Sequence, residues 1–177
     1  MTLSTKDLEA TLRVIPDFPK PGISFKDITT LLKHGEAFRE SIRLMAAECR
    51  KRECEAIVSP EARGFILGSA LAYELGVGFV PVRKKGKLPS RVVSGEYKLE
   101  YGTDTLEMHV DALRPGQKVI VVDDVLATGG TISATLDLVE RVGAVISAVA
   151  FLIELAYIPG RQNLGKYDVI SVLKLQS

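Results

Sequence analysis

Val119-Ile-Val-Val-Asp-Asp-Val-Leu-Ala-Thr-Gly-Gly-Thr131 joins three physical signals in thirteen residues. Val119 to Val122 is an unbroken β-branched run, the pattern of a strand buried on both faces of a parallel sheet. Ala127 to Thr131 brings two glycines and two hydroxyls just before an amphipathic helical run, Ile132 to Val142. Free backbone N–H groups, the helix dipole and the hydroxyls then converge on one point, which makes an anion cradle. Between the two lie Asp123 and Asp124, at the carboxyl end of the strand. Carboxylates repel a bare anion, but they suit a ligand that carries hydroxyls as well as a phosphate, such as a ribose phosphate.

Working outward, the flanking segments repeat the same plan. Ala56 to Ser59 reads as a short buried strand, followed by the turn Pro60-Glu-Ala-Arg-Gly64 and a helix from about Phe65 to Leu75. Gly78 to Val82 reads as the next strand and leads into the basic turn Arg83-Lys-Lys-Gly-Lys87. After the central stretch, Gly143 ends the helix, Ala144 to Leu155 is a long apolar strand, and Tyr167 to Leu175 a last one. Strands alternating with helices predict an α/β fold around a parallel sheet, layered α/β/α, with ligands bound beyond the carboxyl ends of the strands. The acidic pair, the Glu61/Arg63 turn and the basic turn all fall at that end.

Two segments depart from the alternation. From Arg91 to Asp111 the pattern becomes strictly alternate, clearest at Leu106, Met108 and Val110, with Tyr101 to Asp104 between two extended pieces. This predicts an antiparallel ribbon, an excursion of the kind that forms a lid, over residues 90–111. Residues 1–35 form an arm. Ser4 caps a short helix bearing Leu8 and Leu12, and the proline-rich Pro16 to Gly22 leads into Ile23-Ser-Phe-Lys-Asp-Ile-Thr29 as a rigid, irregular cover. Phe38, Ile42, Met45 and Cys49 recur at helical spacing and mark a core face.

The 177 residues suffice for one domain with its own core. Lys plus Arg numbers 23 against 22 for Asp plus Glu, so no general attraction to nucleic acid or an anionic membrane is expected. Cys49 and Cys54 have no histidine nearby and fit neither a zinc site nor a disulfide framework, which points to reduced thiols and a cytoplasmic setting. No apolar run reaches the length of a membrane span. Gly160-Arg-Gln-Asn-Leu-Gly-Lys166 has P-loop spacing, but Tyr167 stands where the magnesium-binding hydroxyl belongs and a strand pattern follows.

Val121 to Thr131 resembles the phosphoribosyl pyrophosphate (PRPP) binding motif of the type I phosphoribosyltransferases, in the form used by the adenine-specific branch of that family. Asp17 to Thr29, Glu61 to Phe65, Arg83 to Pro89 and Leu99 to Gly102 resemble further family segments in the same order. Ser59-Pro60 departs from the pattern, where a glycine and an aliphatic residue are expected. The resemblance implies a type I phosphoribosyltransferase fold with an N-terminal hood and a flexible β-ribbon loop. It also implies transfer of phosphoribose from PRPP to adenine, giving AMP and pyrophosphate, with Mg²⁺ held mainly by PRPP and water rather than by protein ligands. A homodimer is implied as well.

Carried over by position, Ala127, Thr128, Gly129, Gly130 and Thr131 hold the 5′-phosphate. Asp123 and Asp124 bind the ribose hydroxyls, and both reach one ribose only if the strand bends there; otherwise one of them caps the loop. Arg63, Arg83, Lys84 and Lys87 bind pyrophosphate, while Lys85 is read as a solvated surface residue. Phe25 stacks on adenine with Ile23 and Val125 beside it, although a phenylalanine here also suits ordinary core packing. Glu100 and Tyr101 match the catalytic loop. The rival readings are transfer to a 6-oxopurine or orotate, and a regulatory protein that senses PRPP while controlling nucleic acid.

Overall fold

The computed structural model describes residues 3–99 and 102–176. The valine-rich stretch lies in β7 (Lys118–Leu126), between parallel partners β3 (Ala56–Pro60) and β8 (Val145–Leu155). Val119, Ile120, Val121 and Val122 are each 0% exposed. Full burial of such side chains contributes about 1.5–3 kcal/mol apiece. With β4 (Gly78–Lys84), β5 (Val92–Leu99), β6 (Gly102–His109) and β9 (Val169–Leu175), they form a seven-stranded sheet ordered β5-β6-β4-β3-β7-β8-β9. The last five strands in that order are parallel, and β6 joins them antiparallel to β4.

Alternation along β7 sorts the helices into two layers. Ile120 and Val122 share a core with Ile57, with α3 (Gly35–Cys49) through Met45 and with α4 (Arg63–Leu75) through Leu67 and Leu71. Val119 and Val121 share the other core with Val58 and α5 (Gly130–Arg141) through Ile132, Leu136 and Val139. The result is the expected α/β/α arrangement. The alternation then breaks: Val125 packs with the side of Ile120 and Val122, and Leu126 with the side of Val119 and Val121. A strand of strict period two would place them the other way round. The bend therefore falls at Asp123 and Asp124.

Ser59, the departure from the family pattern, has a definite place. The β3–β7 ladder ends at Val58 and Val121, and beyond it Ser59 Oγ donates to the Val122 carbonyl at 2.6 Å. Gly68 makes room for that hydroxyl, since a Cβ there would overlap Ser59 Oγ. The peptide between Glu61 and Ala62, in the turn that follows, is cis.

Two expectations are corrected. Gly102 to Asp104 belong to β6, paired with β5 from Leu99↔Gly102 to Val92↔His109, rather than lying between the two extended pieces. Arg83 and Lys84 complete β4 rather than lying in a turn, and they pair with Glu107 and Leu106 of β6. The ribbon is thus built onto the sheet edge. At the amino terminus, Ser4 and Asp7 form a capping box on α1 (Thr5–Ala10), and Leu8 is fully buried. The cover segment is partly regular: β1 (Arg13–Ile15) pairs antiparallel with β2 (Phe25–Asp27). Asp27 fixes this pair by accepting from Arg13 and from the Thr29 N–H. That N–H, followed by the guanidinium, holds the Asp27 carboxyl down to about 2.

Candidate active site

A cavity of about 180 Å³ opens at the carboxyl end of β7, lined by Asp123, Asp124, Val125, the loop Ala127–Thr131 and Arg63. Its floor is the start of α5. Gly129 adopts φ +83°, a left-handed conformation natural to glycine, and no side chain caps the helix. The first-turn N–H groups thus keep their capacity for an anion. Thr128, Gly129, Gly130 and Thr131 all line the same space.

Both aspartates reach this cavity, the outcome that required a bend. Asp123 Oδ1 accepts the Asp124 N–H at 2.9 Å and lies against the bare Gly64 Cα, where a Cβ would come within 3.0 Å. Burial, then the neighbouring Asp124 charge, pushes the Asp123 carboxyl well above the usual carboxylate range. Asp124 is 4% exposed and accepts a charge-assisted hydrogen bond from Arg63 Nε. The guanidinium of Arg63 also lies 5.1 Å from the centroid of the Phe25 ring. Phe25 on β2, Arg63 on α4 and Asp124 on β7 therefore meet, although 99 positions separate the first from the last by number (124 − 25).

The basic residues behave differently. Glu61 Oε1 accepts the Lys84 N–H at 2.6 Å and stands 3.5 Å from Arg83 Nε, which is buried without a hydrogen-bond partner. Lys84 Nζ pairs with Asp104 of β6 at 3.0 Å, and Arg83 donates to the Lys87 carbonyl at 3.3 Å. Arg83, Lys84 and Lys87 thus form a group around Glu61 and the ribbon, and none lines the cavity at the end of β7. Of the apolar candidates, Val125 lines it, while Ile23 is half-buried in the cover, its carbonyl accepting from Phe18 N. Glu100 and Tyr101 lie outside the described residues.

Three residues near the site are not singled out by sequence. Phe18 packs edge-to-face on Phe25 at 5.2 Å, an aromatic pair hidden by the intervening prolines. Tyr97, on the ribbon, hydrogen-bonds Asp104 at 3.3 Å and interacts with the Thr131 hydroxyl. Asn163 of α6 (Gly160–Asn163) donates to the Thr128 carbonyl at 2.9 Å. The P-loop-like segment is therefore a neighbour of the cradle, and its Lys166 pairs with Glu140 at 2.9 Å. A larger cavity, about 960 Å³, lies elsewhere, between α3 and α4, beside Phe38, Ile66 and the 90% exposed Tyr73.

The phosphoribosyl transferase domain family matches residues 27–176. The adenine phosphoribosyltransferase of Desulfitobacterium hafniense is 57% identical over 168 residues, covering 95% of this chain and 97% of the relative. The crystal structure of the Thermoanaerobacter pseudethanolicus adenine phosphoribosyltransferase superposes with a TM-score of 0.95 at 53% identity, covering 97% of this chain and all of that one. That of the Giardia lamblia enzyme, solved in complex with 9-deazaadenine, gives 0.93 at 37% identity over 99% of this chain and 100% of its own. A likeness of this extent, joined to an anion cradle and acidic pair at one sheet end, places the chain in the adenine phosphoribosyltransferase family.

Proposed function

We propose that the chain transfers the 5-phosphoribosyl group of PRPP to adenine, releasing pyrophosphate and forming AMP. The observation that carries this reading is the convergence of Ala127–Thr131, Asp123, Asp124 and Arg63 on one opening, with the Phe25 ring against the Arg63 guanidinium. The base nitrogen N9 bonds to C1′ with inversion, the C1′–oxygen bond breaks, and its electron pair leaves with pyrophosphate. The 5′-phosphate rests on the N–H groups of Ala127–Thr131, and Asp123 and Asp124 hold the ribose hydroxyls. Phe25, flanked by Ile23 and Val125, stacks on the base.

Arg63 now covers the Phe25 face and neutralises Asp124. Adenine displaces it, and a released guanidinium with Arg83, Lys84 and Lys87 stabilises charge developing on pyrophosphate. Glu100 takes the purine proton, and Tyr101 hydrogen-bonds the phosphate side when the ribbon closes and excludes water. Among the described residues no three His, Cys, Asp or Glu side chains gather to hold a metal. Asp123 and Asp124 are the carboxylates at the cavity, beside the Thr128 and Thr131 hydroxyls, and would face Mg²⁺ carried mainly by substrate oxygens and water. When bound, that ion neutralises phosphate charge.

The groove between α3 and α4, with Ile66 42% and Tyr73 90% exposed, suits a second copy of the chain, and we assign it to a homodimer contact. Light scattering that returns the 19.2 kDa mass of one chain at micromolar concentration would remove that assignment. No helix among the described residues is long and apolar enough to cross a membrane, and the free thiols of Cys49 and Cys54 suit the cytoplasm. The reaction itself is tested by following AMP formation from adenine, PRPP and Mg²⁺. Product should require both substrates, and kcat should fall in Glu100→Gln or Tyr101→Phe. Unchanged turnover in both variants takes the loop out of the chemistry.

A further inference from the structure

The short helix α6 lies behind the phosphate loop, and none of its residues lines the cavity in front. Gly160 sits so close to the Ala127 carbonyl that any Cβ would overlap that oxygen. Three residues later, Asn163 Nδ2 donates to the next carbonyl, Thr128 O, at 2.9 Å. In a trans peptide the C=O and N–H point in opposite directions. Two successive carbonyls turned towards α6 therefore turn the N–H groups of Thr128 and Gly129 away from it, to the cavity side.

The helix has a firm base. Arg161 donates to both carboxylate oxygens of Glu154 on β8, at 2.7 and 2.6 Å, and to the Val169 carbonyl of β9 at 3.0 Å. Glu154 is 5% exposed and pairs in the ladder with Leu126, the residue just before the loop. The residues of α6 thus divide between two tasks: Arg161 locks the turn to the sheet, and Gly160 and Asn163 bear on the loop.

We propose that α6 is a backing piece for the phosphate loop and that Asn163 is a positioning residue, aiming the Gly129 N–H at the 5′-phosphate by holding the Thr128 carbonyl. The assignment rests on the PRPP reading of that loop. The Asn163 side chain does not line the cavity and bears on the loop from behind, so its effect should be confined to ligands that carry the phosphate.

The test uses the full chain with Asn163→Ala and Asn163→Asp, the second placing a carboxylate against the carbonyl. Losing one exposed hydrogen bond that orients a donor should raise KM for PRPP roughly three- to tenfold in Asn163→Ala, and more in Asn163→Asp. KM for adenine should stay unchanged. Product binding gives a second readout independent of turnover: calorimetry should find AMP binding weakened by the same factor and adenosine binding unaffected. A PRPP KM equal to that of wild type, or an equal loss for AMP and adenosine, would overturn the assignment. Wild-type turnover measured alongside separates its failure from failure of the reaction itself.

Discussion

Replacing Phe25 by alanine removes a ring that meets Phe18 edge-to-face at 5.2 Å and carries the Arg63 guanidinium at 5.1 Å. The aromatic pair contributes about 0.5–1.5 kcal/mol and the partly exposed cation–π contact about 0.5–1 kcal/mol. At about 2–4 °C per kcal/mol for a chain of this size, Tm should fall by roughly 2–10 °C. Loss of a base-stacking surface costs about 1–3 kcal/mol, or roughly 5- to 150-fold in adenine affinity. Phe25→Leu separates the two effects, because it keeps apolar bulk but not a flat face. Initial rates with adenine and PRPP varied in turn, together with thermal melts, supply the readouts. Leucine should recover only the Tm lost through apolar bulk and not the ring-specific part, while adenine KM stays high and PRPP KM does not move. An adenine KM at the wild-type value in Phe25→Leu would reduce Phe25 to a packing residue of the cover and refute the stacking argument.

Further consequences concern stability. Arg161, then the Ser171 hydroxyl, hold Glu154 down from an ordinary 4.5 to about 2, so its contribution is full above pH 4.5 and is lost as pH falls towards 2. Because Arg161 is 40% exposed, the pair is screened, and Glu154→Gln should cost roughly 1–3 kcal/mol at pH 7. The Tm gap from wild type should close as pH falls through the 4.5 to 2 window, whereas a pH-independent gap would assign the loss to packing. Burial pushes the Cys49 thiol up to about 12 and raises Cys54 as well. A thiol-specific reagent at pH 8 should therefore label the native protein slowly and both cysteines promptly after denaturation. Rapid labelling of the native protein would contradict this burial.

The parts of the fold legible in the sequence were those with strong periodicity or a glycine signal. The all-β-branched run at Val119–Val122, the α3 face through Met45 and Cys49, and the Gly129–Gly130 helix start all stand where their patterns put them. The bend at Asp123 and Asp124 could be stated only as a condition, since no residue there breaks a strand by its own chemistry. Arg13–Ile15 and Phe25–Asp27 escaped because three-residue strands show no period, and proline between them hides their pairing. Ion pairs are the other blind spot. That Arg63 rests on Asp124, and Lys84 on Asp104, depends on tertiary neighbours 61 and 20 positions away (124 − 63 and 104 − 84). Asn163 was hidden for a related reason: it serves the loop through a backbone carbonyl, which leaves no mark on residue type.

Adenine as the acceptor of the phosphoribosyl group is tested most directly by pyrophosphate release from PRPP and Mg²⁺ with adenine, hypoxanthine or orotate supplied separately. Pyrophosphate should be released with adenine, with AMP in equal amount, and none above background with the other two. Release with hypoxanthine but not adenine would contradict adenine as the acceptor.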